Sequence, residues 1–132
     1  NDYNNTMQGN DNGGTLYGYG GDDTLIGGAG VDNLYGGDGS DTFVFDLEST
    51  NEDTIMDWVI GDKIDFSGVI NSTSYIGNEQ FSGTAGEVRF NSKTQQLELD
   101  IDANYQSNLN VSIHNDSYSI TPSNFNDETF LL

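Results

Sequence analysis

Through the first third of the chain one large apolar side chain arrives every nine residues: Met7, Leu16, Leu25, Leu34 and Phe43. Three blocks carry the beat most clearly: GYGGDDTLI (18–26), GGAGVDNLY (27–35) and GGDGSDTFV (36–44). In each, six glycine-rich residues precede three that are centred on the apolar one. Glycine at the first, second and fourth places predicts a turn with positive φ or very close backbone approach. The trailing three residues predict a short strand that points one side chain inward. A strand of three residues cannot stand alone, so successive blocks must stack and bury the apolar column between them. Two strands and two turns make one coil, which predicts a flattened parallel roll with turns piled along both edges. Further back the frame is worn. GNDNGGTLY (9–17) keeps Leu16 but has Gly14 where the other blocks have aspartate, and the residues before it keep Met7 with Asn5 in that place.

After residue 45 the beat stops and other patterns begin. EVRF (87–90) and QLELDI (96–101) flank NSKTQ as a hairpin, and LNVSI (109–113) alternates as a further strand. Trp58, Phe66, Phe81, Phe90 and Phe125 are the expected core of this part. Thr121-Pro122 fits an N-cap followed by the first position of one short helical turn. Open ends of a roll expose strand edges that invite pairing with other chains. Residues 46–132 therefore read as a cap on the roll formed by residues 1–45, the two making one continuous domain.

Charge changes what the turns must do. The chain of 132 residues carries 22 acidic and 3 basic side chains, a formal net charge of −19. That balance argues against nucleic acid and anionic membrane as partners. Leu, Ile, Val and Phe make up only about a quarter of the residues, close to the level of disordered chains. There is no cysteine to supply disulfides or thiolate ligands. Stacked turns would bring the sixth-place aspartates, Asp23, Asp32 and Asp41, close to backbone carbonyls and to one another. Bare carboxylates at that distance repel, whereas a hard divalent cation taking 6–8 oxygen ligands turns repulsion into cohesion. Calcium suits an irregular, carbonyl-rich cage better than magnesium, and transition metals favour nitrogen or sulfur ligands. No apolar run approaches the ~20 residues of a membrane span. The opening NDYNNTMQGN lacks the features of a signal peptide and reads as a cut through a longer protein.

Residues 18–44 resemble the GGxGxDxUx nonapeptides of the repeats-in-toxin (RTX) proteins. DTIMDWVIGDKIDFSGV (53–69), FSGTAGEVRF (81–90), LELDIDANYQSNLNVSI (97–113) and the late TPSNF resemble the segment that follows the roll in serralysin-type secreted metalloproteases. The resemblance implies an all-β fold, a right-handed parallel β-roll of calcium-binding nonapeptides capped by a C-terminal β-rich segment. It also implies that turns 18 residues apart share an edge and several calcium ions. One ion would take the carbonyls of Gly18 and Gly20, the carboxylates of Asp23 and Asp41, and the carbonyls of Gly37 and Gly39. On the opposite edge Gly27, Ala29 and Asp32 would be completed by Asp53, with Asp57 assisting. Two places depart from the pattern: Gly14 offers Asp32 no carboxylate, and Asn5 offers Asp23 an amide oxygen. The loop DIDANYQSN (100–108) has the D-x-D-x-N spacing of calcium loops. Tyr105, however, stands where such loops need glycine, and no glutamate closes the loop. A polar turn is the alternative there.

Catalytic signatures are missing. His114 is the only histidine, and neither H-E-x-x-H, G-x-S-x-G nor a phosphate-binding loop occurs. The chain reads as a non-catalytic module. The resemblance implies the C-terminal part of a larger, type I secreted bacterial protein, such as a serralysin-like metalloprotease. There NDETFLL would serve as the uncleaved secretion signal and extracellular calcium would trigger folding. Its partners would then be calcium, an upstream domain and the type I secretion machinery. The alternative is a polysaccharide-binding module, since mannuronan C-5-epimerases and RTX adhesins carry similar repeats. Against a polyanionic polysaccharide stand only Lys63, Arg89 and Lys93.

Overall fold

The nonapeptide period becomes sheet register. The structure, a computed structural model, describes residues 1–46, 52–71, 73–104 and 109–131. Strands β1 (Thr6–Gln8), β3 (Thr24–Ile26) and β5 (Thr42–Val44) pair in parallel, Thr6 opposite Thr24 and Thr24 opposite Thr42. On the other side β2 (Gly14–Tyr17) pairs with β4 (Asp32–Tyr35), Gly14 opposite Asp32. Each step along an edge is therefore two blocks, or 18 residues, and the chain alternates between two sheets. The result is a parallel β-solenoid of about three turns.

The sheets do not end with the nonapeptides. β6 (Thr54–Ile55) and β7 (Lys63–Asp65) add one strand to each, Thr54 opposite Asn33 and Lys63 opposite Thr42. The offset there is 21 residues (33 to 54, 42 to 63), because the connection before β6 is longer than a nonapeptide turn. The remaining strands are β8 (Ser74–Tyr75), β9 (Glu87–Asn91), β10 (Gln96–Asp100), β11 (Leu109–Ile113) and β12 (Phe130–Leu131). Among the described residues one sheet runs β1-β3-β5-β7-β12 and the other β2-β4-β6-β11-β10-β9-β8. The expected hairpin is β9–β10, antiparallel, and β11 joins it to the roll by pairing in parallel with β6. Pro122–Asn124 forms the short 3-10 turn expected after Thr121, whose amide donates to Asn124 Oδ1 at 2.8 Å.

The core lies between the sheets. Leu25, Phe43 and Ile64 from one side meet Leu34 and Ile55 from the other, all with 0% exposure. Burying each such side chain contributes about 1.5–3 kcal/mol, which compensates strands too short to hold by pairing alone. At the open end Met7 and Leu16 continue the column half-buried. Trp58, Phe66, Phe90 and Phe125 join the same core as expected, with Trp58 and Phe90 each 5.2 Å from Phe125 between ring centroids. Phe81 does not. It sits half-buried outside the cluster, beneath the Arg89 guanidinium at 5.3 Å, because the strand begins only at Glu87. The Glu87 carboxylate folds the preceding loop back by accepting the Ser82 amide at 2.7 Å.

Candidate metal centres on the roll edges

Turns 18–23 and 36–41 stack on one edge, and turn 27–32 lies on the other. The first glycine of each turn faces the turn's own carboxylate. A Cβ on Gly18 would overlap the Gly36 carbonyl oxygen and Asp23 Oδ2; one on Gly27 or Gly36 would press on Asp32 Oδ2 or Asp41 Oδ2. Gly37 and Gly39 adopt φ of 94° and 132°, the left-handed region that side chains avoid. Glycine thus leaves open the space between carboxylate and backbone.

The sixth-place aspartates form a ladder. Asn5 N donates to Asp23 Oδ1 at 2.7 Å, Asp23 N to Asp41 Oδ1 at 2.8 Å, and Asp41 N to Asp62 Oδ1 at 3.0 Å. Across the roll Asp32 N donates to Asp53 Oδ1 at 2.9 Å. Asp23, Asp41 and Asp53 each reach back one coil and use one oxygen on a backbone amide. The other oxygen is left over: Asp23 Oδ2, Asp41 Oδ2, Asp53 Oδ2 and both oxygens of Asp32 are buried without a hydrogen-bond partner. These four side chains are at most 1% exposed. Leaving a buried polar atom unpaired costs about 1–3 kcal/mol, more for a charged group.

Electrostatics point the same way. Burial pushes the carboxyls of Asp32 and Asp41 up from their ordinary range, against the amides of Gly14 and Asp23 respectively. The Gly14 amide is near enough to oppose the rise at Asp32 without reaching hydrogen-bond geometry. Burial likewise takes Asp53 to about 6, with the Asp32 and Asp46 charges adding to the rise. Among the described residues the ion pairs are Arg89–Glu98 and His114–Asp116, both away from the ladder. No three His, Cys, Asp or Glu side chains converge among the described residues either. The carboxylates come in pairs, Asp23 with Asp41 and Asp32 with Asp53. A cation held by such a pair would have to take the rest of its shell from turn carbonyls. That donor set is hard, oxygen-only and of net charge −2 per gap, which fits calcium.

Every expected ligand can now be placed. Gly18, Gly20 and Asp23 lie in the turn before β3, directly below Gly37, Gly39 and Asp41 before β5; Gly20 lies opposite Asp38 between the two. Gly27, Ala29 and Asp32 form the turn into β4, and Asp53 leads into β6 one coil above Asp32. Asp57 brings no open oxygen, since its two oxygens accept the Gly36 and Gly37 amides at 2.9 Å each. Asp62, the third rung on the first edge, was not expected. Its signal was DWVIGD (57–62), a six-residue turn of nonapeptide length ending in aspartate but without the early glycines. In the loop from Asp100, residues 105–108 lie outside the described residues. Asn104 N donates to Asp100 Oδ1 at 3.3 Å and Asn104 Nδ2 to Asp102 Oδ2 at 3.2 Å. His114 is at the surface, 2.8 Å from Asp116.

Comparison with known proteins fits this geometry. Residues 15–125 match the family described as peptidase M10 serralysin C terminal. No curated protein matches the chain. Among solved structures it is similar to the AlgE6R3 subunit of the Azotobacter vinelandii mannuronan C5-epimerase, determined in solution. The two share 27% identity and a TM-score of 0.53, over 98% of this chain and 78% of that one.

Proposed function

Because this chain belongs to the peptidase M10 serralysin C-terminal family, we propose that it is a non-catalytic calcium-binding module. In this reading it is the C-terminal part of a larger secreted enzyme, a serralysin-like protease, whose folding outside the cell is driven by calcium. The observation that carries the reading is the set of paired buried aspartates with unpartnered oxygens. Metal that binds only the folded state adds its binding free energy to folding. Extracellular calcium sites have dissociation constants of about 10⁻⁴–10⁻³ M, so they stay empty at cytosolic calcium and fill outside. With the sites empty, the charge of −19 favours an extended chain that can thread a secretion channel.

The acidic, apolar tail supports the same order of events. Phe130 is buried and pairs with Ile64 in the five-stranded sheet. A secretion signal in this tail would therefore present Phe130 to the type I machinery before folding and bury it afterwards. Among the described residues no helix is long and apolar enough to cross a membrane. The test is circular dichroism of the full chain in chelator and in calcium. The β signal should rise markedly with calcium; an unchanged β-rich spectrum in chelator would overturn the reading.

A second reading, a polysaccharide-binding accessory module, is favoured by the likeness to the epimerase subunit. The basic side chains argue the other way: Lys63 Nζ donates to the Glu128 carbonyl at 2.8 Å and Arg89 is paired with Glu98. Calorimetric titration of alginate into the calcium-loaded chain separates the two. Saturable heat supports the second.

A further inference from the structure

The edge that carries Asp23 and Asp41 has a third turn, 57–62, stacked on turn 36–41 at the 21-residue offset of β7 from β5. Extending the ligand pattern by one step would put another cation in this gap, between Asp41 and Asp62. The hydrogen bonding of the turn is different in kind. Asp62 accepts the Asp41 amide through Oδ1, as a regular rung does, but its Oδ2 accepts Val59 N at 2.9 Å. Asp57 stands where the first glycine would be, and both its oxygens are occupied by the Gly36 and Gly37 amides. The Trp58 carbonyl stands where Gly37 would supply a metal donor. It accepts Asn115 Nδ2 at 2.6 Å and the Tyr118 hydroxyl at 3.1 Å. The Val59 carbonyl accepts Asp62 N at 3.1 Å. One coil below, Asp23 and Asp41 each keep a buried oxygen with no partner.

We propose that Asp57 and Asp62 are metal-free terminators of this edge: positioning residues that close the last turn with amide protons. The edge then holds one calcium ion, between Asp23 and Asp41, and none between Asp41 and Asp62. The inference rests on the calcium reading of Asp23 and Asp41. Its physical basis is competition for the same lone pairs. Hydrogen bonds from backbone N–H to a carboxylate are charge-assisted and strong. A cation in the upper gap would have to displace the Val59 amide, Asn115 and Tyr118 from part-buried hydrogen bonds already made to the same oxygens. The same bonds from Asn115 and Tyr118 fasten the turn to the segment after β11, so the terminators join the metal-bearing coils to the cap.

Calorimetric titration with calcium chloride, on the full chain and on Asp41→Asn, Asp57→Asn and Asp62→Asn, tests this beside melting curves in EDTA and in calcium. Asp41→Asn should weaken the binding of one ion about tenfold relative to the parent. Asp57→Asn and Asp62→Asn should keep the parent's ion count, with affinities within about threefold, and should melt earlier by the same margin in EDTA and in calcium. A parent chain that binds no calcium would overturn the underlying reading. Normal binding by the parent with one ion lost in Asp62→Asn would overturn the terminators alone. Should those variants fail to fold, amide exchange on the parent decides. In calcium the Gly37 and Val59 amides should exchange as slowly as the Asp23 amide; fast exchange at either while Asp23 stays protected would show that a cation has taken their carboxylates, and would refute the proposal.

Discussion

Replacing Asp41 by asparagine separates a metal ligand from a hydrogen-bonding residue by sign. The side chain is fully buried; Oδ1 accepts the Asp23 amide at 2.8 Å and Oδ2 has no partner. Asparagine keeps the shape and the oxygen that receives the amide, and removes the charge. In chelator that removal relieves a carboxylate whose burial already pushes it toward the neutral form, so Asp41→Asn should be at least as stable as the parent. In calcium the order reverses. A site of about 0.1 mM affinity at about 10 mM calcium adds about 2.7 kcal/mol to folding. Losing one of two ligand charges and weakening the site about tenfold leaves about 1.4 kcal/mol. For a chain of this length the calcium-induced rise in Tm should then shrink by roughly 5 °C. Differential scanning calorimetry in EDTA and in calcium measures both arms. Equal destabilisation in the two buffers would show that Asp41 matters only for its bond to Asp23, and an undiminished calcium shift would remove it from the ligand set.

Three further outcomes follow from the same geometry. Gly18→Ala forces a methyl group against the Gly36 carbonyl and the Asp23 carboxylate, so it should cost about 1–3 kcal/mol by chemical denaturation and weaken calcium binding as well. Gly14→Asp places a carboxylate where nothing lies within 4 Å of the new Cβ and where Asp32 has two unpartnered oxygens; calorimetry should count one additional calcium ion per chain. Burial raises Asp53 from an ordinary 3.8 to about 6 and Asp62 to about 7. The metal-free fold therefore binds more protons than the unfolded chain across this range and gains stability as pH falls from about 7 to 4. Calcium needs Asp32 and Asp53 ionised, so the Tm curves with and without it should converge toward acid pH; parallel curves would contradict the coupling.

The roll was legible because its sequence period and its sheet register are the same number counted twice. Nine residues separate the inward side chains Leu25 and Leu34, and 18 separate the paired residues Thr24 and Thr42. Asp23, Asp32 and Asp41 could be placed on their edges from that count alone. Asp53 could not, because the chain before it does not keep the period; only the likeness to serralysin-type domains brought it to Asp32. Asp62 was lost for a related reason. Its turn keeps the length but not the glycines, since a turn closed by amide protons needs no open space beside its first residue. The pairing of β6 with β11, and of β7 with β12, joins residues far apart in sequence whose strands are two to five residues long. Local pattern carries no trace of such contacts. Phe81 was misplaced because two glycines with positive φ, Gly83 and Gly86, turn the chain before the strand starts.

The two oxygens of Asp23 and of Asp41 divide the work, and this division explains why the sixth place is aspartate there. One oxygen must accept an amide from the coil before it, which fixes the register of stacked turns whether or not metal is present. The other is an acceptor with no donor within the protein, which at neutral pH a cation can satisfy. Asparagine fails the second requirement, as Asn5 illustrates: its Nδ2 donates to Asp23 Oδ1 at 3.3 Å, so it answers its neighbour's charge with a proton and presents a donor to the gap. A hydrophobic side chain fails the first and would leave the amide of the preceding coil bare. Asp23, Asp41 and Asp53 thus each contribute a metal-independent bond that orders the stack and an unpaired oxygen that opposes it, while Asp32 contributes only unpaired oxygens. Summed over Asp23, Asp32, Asp41 and Asp53, at about 1–3 kcal/mol for each unpaired oxygen, the penalty is comparable to the 5–15 kcal/mol that a whole domain has to spare. On that comparison the metal-free roll should sit near its own unfolding, which is the condition that the proposed calcium-driven folding requires.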